Sequence, residues 1–262
     1  MPEIPIRNYL AKITEVITSF LSSVIFYTIV PLPSKWTNNY LRIARWCPVI
    51  GLLIGLCLFS LVTLFESIGI PNLTGKALTV AAWVAITGGL HLDGVMDTAD
   101  GLSVTDPNRR LEVMKDSATG AFGAIAGIIV LLLKAVALSE MSLPLWLVLP
   151  SALGWARWGQ VWAIAFYPYL RATGKGSFHQ ENLRLPQDIL FGLLALISFS
   201  SGWFTLDYLS WWQISVIVLG NMAIVLLAGY WFNRQLGGHT GDTYGAVVEW
   251  SEVFILCFLT AF

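Results

Sequence analysis

Apolar runs near or beyond the roughly 17 to 25 residues that carry a helix across a bilayer recur along most of this chain. They cover residues 14–32, 48–65, 76–92, 118–138, 144–167, 188–205, 210–232 and 244–262. With 56% hydrophobic and only 12% charged residues among 262, and a mean hydropathy of +0.70, this is not a soluble domain. The expectation is an all-α, polytopic membrane protein of seven or eight segments, built as one integral membrane domain over residues 1–262. The count has two values because of the first segment. Its strongly apolar part, residues 16–30, is short and follows Arg7 and Lys12, so it either spans or lies in the interface. No internal repeat and no low-complexity linker is visible. A net charge of −1 argues for no nucleic acid as partner. Cys47, Cys57 and Cys257 lack CxxC spacing and read as buried thiols. The N-terminus has acids and no small-residue cleavage site after a basic start, so it does not read as a cleaved signal peptide.

The polar connections alternate in charge. Lys35, Arg42 and Arg45 fill the first; Arg109, Arg110 and Lys115 follow the third segment; Arg171, Lys175 and Arg184 follow the fifth; Arg234 precedes the last. The links at 66–75, 139–143 and 206–209 hold no Lys or Arg. By the positive-inside bias the basic loops face the cytoplasm of a cell whose inner membrane holds the chain.

Where the third segment reaches that face, GGLHLDGVMDTADGL at 88–102 gathers Asp93, Asp97 and Asp100. A helix running through it relates them as i, i+4 and i+7, one stripe about 10 Å long. Like charges so placed repel and raise one another's pKa, and each Asp at membrane depth costs about 2.5 to 3.5 kcal/mol. A bound hard dication removes both penalties. Magnesium suits carboxylate oxygen and is commonly completed by substrate phosphates, whereas the neighbourhood lacks the Cys and His of a zinc site. Gly94 and Gly101 let a diphosphate approach the backbone closely. The plainer alternative is a solvated acidic loop capping a helix.

In DPNRRLEVMKDSATGAFG, residues 106–123, Asp106 can cap and Pro107 can start a short helix. Arg109, Arg110 and Lys115 supply positive charge for an anion, Asp116 a fourth carboxylate, and Ser117, Gly120 and Gly123 open the next helix with free N–H groups. A linker contacting anionic headgroups is the alternative for the arginines. Arg157, inside an apolar segment, reads as a substrate contact or a carboxylate partner. Lys134 lies nearer a segment end and reads as a structural residue snorkelling to the interface. His91, Arg171, Lys175 and His179 are candidates for substrate binding, while Asp242 and Glu249 either reach the site or serve the last helix. Trp211, Trp212 and Trp231 suit interfacial belts.

HLDGVMDTADGL followed by RRLEVMKDSATGAFG resembles the signature region of the cobalamin synthases, the adenosylcobinamide-GDP ribazoletransferases. The resemblance extends through GWARWGQ at 154–160, YLRATGKG at 169–176 and LGGHTGDTYGA at 236–246. It implies a magnesium-dependent membrane enzyme of the last stage of vitamin B12 assembly. A ribose hydroxyl of α-ribazole or its 5′-phosphate attacks the phosphorus next to cobinamide in adenosylcobinamide-GDP, and GMP leaves. Asp93, Asp97, Asp100 and Asp116 are then the catalytic, metal-binding set, with one of them alternatively the base. His91, Arg109, Lys115, Ser117, Arg157, Arg171, Lys175 and Asp242 are the substrate-binding set. The expected partners are those two substrates, the lipid bilayer and, as an alternative to a monomer, a second copy in a homo-oligomer.

Two other classes compete. A CDP-alcohol phosphotransferase would carry AR where residues 98–100 read TAD, and GxxxDxxxD after Gly101, which is absent. An ion-coupled transporter would place acids near the midplane of two related halves, not on one face of an asymmetric chain.

Overall fold

A backbone in hydrocarbon must satisfy its own hydrogen bonds, and every apolar run of this chain does so as helix. The structure, a computed structural model, describes residues 6–171, 175–205 and 208–262; the side chains of residues 6–11, 175–177 and 204–205 are outside that description. In order the helices are α1 (Ile6–Tyr27), α2 (Cys47–Ser67), α3 (Asn72–Ile86), α4 (Leu90–Ser103), α5 (Arg110–Val113), α6 (Ala121–Ser139), α7 (Leu145–Phe166), α8 (Lys175–Asn182), α9 (Gln187–Thr205), α10 (Trp211–Leu236) and α11 (Gly241–Leu259). No strand occurs among the described residues.

Helix α7 is the axis of the bundle, with α2, α9, α10 and α11 packed around it. Every residue from Leu147 to Ile164 except Trp162 is buried. Small residues let its neighbours come close, as expected where lipid offers no hydrophobic drive to helix association. A Cβ on Gly51 of α2 would lie 2.4 Å from the Leu153 carbonyl oxygen, and one on Gly55 2.4 Å from Pro150. On the other side α11 separates α7 from α4, which also packs on α6.

Among the described residues three helical stretches are long and apolar enough to cross a membrane: Ile43–Ser67, Ala121–Ser139 and Trp211–Leu236. Helices α3 and α4 add a fourth only if taken together as one span bent by 90°. Seven or eight crossings are therefore not reached by length and apolarity. Arg157 and Gln160 of α7 and Glu249 and Glu252 of α11 lower the apolar average of those helices, yet they are buried against protein. The third apolar segment does not run straight to residue 92 either. Gly88 and Gly89, with φ of 64° and 68°, break it in the left-handed region that glycine enters freely.

The cysteine expectation changes and the tryptophan one does not. All three cysteines are free and Cys47 is buried, but Cys57 and Cys257 are exposed on outward faces. Trp211, Trp212 and Trp231 are 71%, 53% and 48% exposed and sit near opposite ends of α10, as an interfacial belt requires.

Candidate active site

The acidic stretch is helical throughout, so Asp93, Asp97 and Asp100 share the outward face of α4. The opposite face, His91, Gly94, Val95, Thr98 and Gly101, is buried. Three helix N-termini open beside these carboxylates. Asp93 lies in the first turn of α4 and Asp242 in the first turn of α11. Asp100 accepts the backbone N–H groups of Gly120 and Gly123 at the start of α6, at 2.6 and 2.8 Å. The positive end of each helix dipole offsets the negative charge. A Cβ on Gly94 would lie 2.4 Å from the Asp242 carbonyl oxygen, which locks α4 to the first turn of α11.

Arg171 donates to Asp242 Oδ2 at 2.6 Å and to the Met114 carbonyl at 3.5 Å, tying α11 to the segment after α4. Its own place is set by paired backbone bonds between Leu170 and His239 and between His239 and Pro168, both 2.8 Å. Tyr167, His239, Tyr244 and Tyr169 form a stacked row beneath that pairing. His239 is held by the Gly229 carbonyl and Thr243, and burial lowers its pKa to about 4, so it is neutral.

Asp97 marks the electrostatic centre. Partial burial, then Asp93, Asp242 and Asp100, push its carboxyl up to about 6 against the pull of Arg171. The acids are thus close enough to feel one another. Among the described residues, however, no three His, Cys, Asp or Glu side chains converge as a ready-made metal cage. This donor set suits an ion that takes one or two carboxylates and completes its shell with water and phosphate, the habit of magnesium.

The other expected site residues divide. Arg109, Lys115, Asp116 and Ser117 are exposed between α4 and α6, with Asp116 accepting the Ala118 N–H. Asp106 caps the turn at Pro107 as expected. His91 is turned away from the acids: it is 3% exposed, against Gly245 of α11, because it lies half a helix turn from their stripe. Gly94 and Gly101 face α11 and Met114, so they serve helix packing where a diphosphate was expected. The side chain of Lys175 lies outside the described residues.

Arg157 and Lys134 belong to a buried network apart from the acidic face. Glu252 accepts from Lys134 and from Arg157, both at 2.5 Å, and Glu249 accepts from Lys134 at 2.7 Å. Lys134 is 1% exposed and lies 4.0 Å from the Trp83 ring centroid, so it does not snorkel. Glu252 went unread in the sequence, although an acid three residues after Glu249 in an apolar segment was a legible signal.

A family model described as cobalamin-5-phosphate synthase matches residues 19–260. An adenosylcobinamide-GDP ribazoletransferase of Trichormus variabilis is 52% identical over 92% of this chain and 96% of its own length. The proteins of that name from Synechocystis sp. and Brevibacillus brevis are 49% and 36% identical, over 90% and 92% of this chain and 91% and 97% of theirs. No solved structure matches.

Proposed function

The chain belongs to the cobalamin-5-phosphate synthase family, and from that membership and its acidic face we propose how it works. It is an adenosylcobinamide-GDP ribazoletransferase: it moves phosphocobinamide from adenosylcobinamide-GDP to α-ribazole or its 5′-phosphate and releases GMP. The observation that carries the reading at the residue level is the placing of Asp93, Asp97, Asp100 and Asp242 beside three helix N-termini, where the neighbouring acids push the Asp97 carboxyl up.

Asp93 and Asp97 are the carboxylates that would hold magnesium, with Asp116 of the neighbouring loop as the alternative to either, and the bound ion would neutralise the diphosphate and the departing GMP. Asp100 keeps the start of α6 against α4 and completes the negative field. Arg109 and Lys115, exposed and free of ion pairs among the described residues, bind the outer phosphate oxygens, joined by Ser117. Arg171 balances Asp242 and presents its remaining N–H groups to the same anion. One of the carboxylates accepts the ribose hydroxyl proton as the phosphorus–oxygen bond forms. Arg157 and His91 stay within the protein and support α4 from behind.

This face lies at the cytoplasmic leaflet of the cell membrane, a reading that the basic loops beside the acids support. Since α3 and α4 meet at 90°, at most one of them follows the membrane normal, and α4, about 21 Å long with three Asp, lies at the interface. Helices α7 and α11 cross inside the bundle, which brings the crossings toward seven. Purified full-length protein incubated with adenosylcobinamide-GDP, α-ribazole 5′-phosphate and magnesium should release GMP. No GMP there, with turnover of CDP-diacylglycerol in parallel, would replace this reading by the phospholipid-synthase one.

A further inference from the structure

On the far side of α4 from the acids, a groove of about 770 Å³ runs between α4, α10 and α11. That is within the roughly 300–1,000 Å³ of small-molecule sites. Its walls are almost wholly apolar: Leu102 of α4, Leu227 and Trp231 of α10, Trp250 and Phe254 of α11. Leu227, Trp231 and Phe254 are 64%, 48% and 49% exposed, so the groove opens sideways along a helix able to span a membrane. A ligand there lays an apolar part against these walls and enters from the lipid phase.

Beyond the residues that line the groove, α10 continues to a cation. Leu227, Trp231 and Arg234 stand at i, i+4 and i+7, one face of α10 that passes from aliphatic to aromatic to cationic as the helix ends. Arg110 reaches the same end, since its Nη1 donates to the Gln235 carbonyl at 3.0 Å and its Nε to the Val104 carbonyl at 3.3 Å. Among the described residues neither Arg110 nor Arg234 has a carboxylate partner. Two cations beyond the end of an apolar groove suit a phosphate diester attached to hydrocarbon.

We propose that this groove binds one anionic phospholipid, with an acyl chain along Leu227 and Trp231 and its phosphate at Arg234 and Arg110. A phospholipid supplies both the hydrocarbon and the anion in one molecule. The site is separate from the transferase chemistry and is read without substrates.

The test reconstitutes the full chain in phosphatidylcholine nanodiscs doped with dibrominated phosphatidylglycerol or dibrominated phosphatidylcholine. Bromine on the acyl chains quenches nearby tryptophan fluorescence. The glycerol lipid should reach half-maximal quenching at a mole fraction several-fold lower than the choline lipid. Arg234→Gln, an exposed substitution, should reduce that preference about fivefold, the effect of one Lys or Arg at a membrane surface. Trp231→Phe should lower the maximal quenching. Equal curves for the two headgroups, or a preference unchanged in Arg234→Gln, overturns the proposal. So does failure of either lipid to quench while cysteines introduced on α10 cross-link two copies.

Discussion

Lys134→Met is the substitution whose cost follows most directly from the buried network. Lys134 touches two carboxylates, at 2.7 and 2.5 Å, and among the described residues Arg157 is the only other cation bonded to either. The four charges now sum to zero; without Lys134 the interior holds one uncompensated negative charge. Breaking a buried pair by removing one partner costs about 3–5 kcal/mol. Loss of the cation over Trp83 adds about 1 kcal/mol. Proton uptake sets a ceiling on the charge penalty: protonating a carboxylate of ordinary pKa ~4.3 at pH 7 costs about 4 kcal/mol, and at pH 5 about 1 kcal/mol. In the variant the folded state binds a proton that the unfolded state lacks, so its deficit against wild type grows as pH rises above ~4.3. Adding Glu249→Gln restores neutrality and should recover about 2 kcal/mol, a coupling that a double-mutant cycle reads directly. The assay is reversible unfolding in mixed micelles, followed by tryptophan emission at pH 7 and pH 5. A Lys134→Met cost below about 1 kcal/mol at pH 7, or a double variant no better than the sum of its parts, would mean that Lys134 is solvated and the network does not hold the bundle together.

The acidic face makes separable predictions. Asp97→Asn should abolish magnesium-dependent turnover with little change in thermal midpoint. Asp100→Ala should lower stability by about 2–3 kcal/mol, because two N–H groups lose a charged acceptor, and the thermal midpoint reads the difference. With Asp97 raised to about 6, its charge is lost as pH falls through that value, so GMP release should be flat above and fall about tenfold per pH unit well below. Raising magnesium should move that midpoint lower, and a midpoint indifferent to magnesium would separate Asp97 from the metal. Gly94→Ala forces a Cβ to within 2.4 Å of the Asp242 carbonyl oxygen, so α4 and α11 must part. Melting should show a loss of about 1–3 kcal/mol, with turnover falling further than stability.

What could be read from the sequence depended on whether the deciding interaction was local. The eight apolar runs are largely helix, the third broken at Gly88 and Gly89, and the 93, 97, 100 stripe follows from periodicity alone, since both are properties of consecutive residues. Lys134 and Glu252 lie 118 positions apart, and nothing near either announces the other, so Lys134 was read by its distance from a helix end. The same limit explains the glycines: Gly94 and Gly101 look free to admit a ligand until α11 and Met114 are seen to fill the space. Apolar residues were least informative, because lipid and protein interior are equally apolar. Trp155 at 0% and Trp231 at 48% exposure belong to sequences of the same character. Charge carried the information that apolarity lacked. Lys134, Arg157, Glu249 and Glu252 are two cations and two anions within apolar segments, and a low-dielectric interior tolerates them only as a neutral, bonded set. That demand holds before any coordinates are known and requires α6, α7 and α11 to be neighbours, which is the arrangement that supports α4 from beneath.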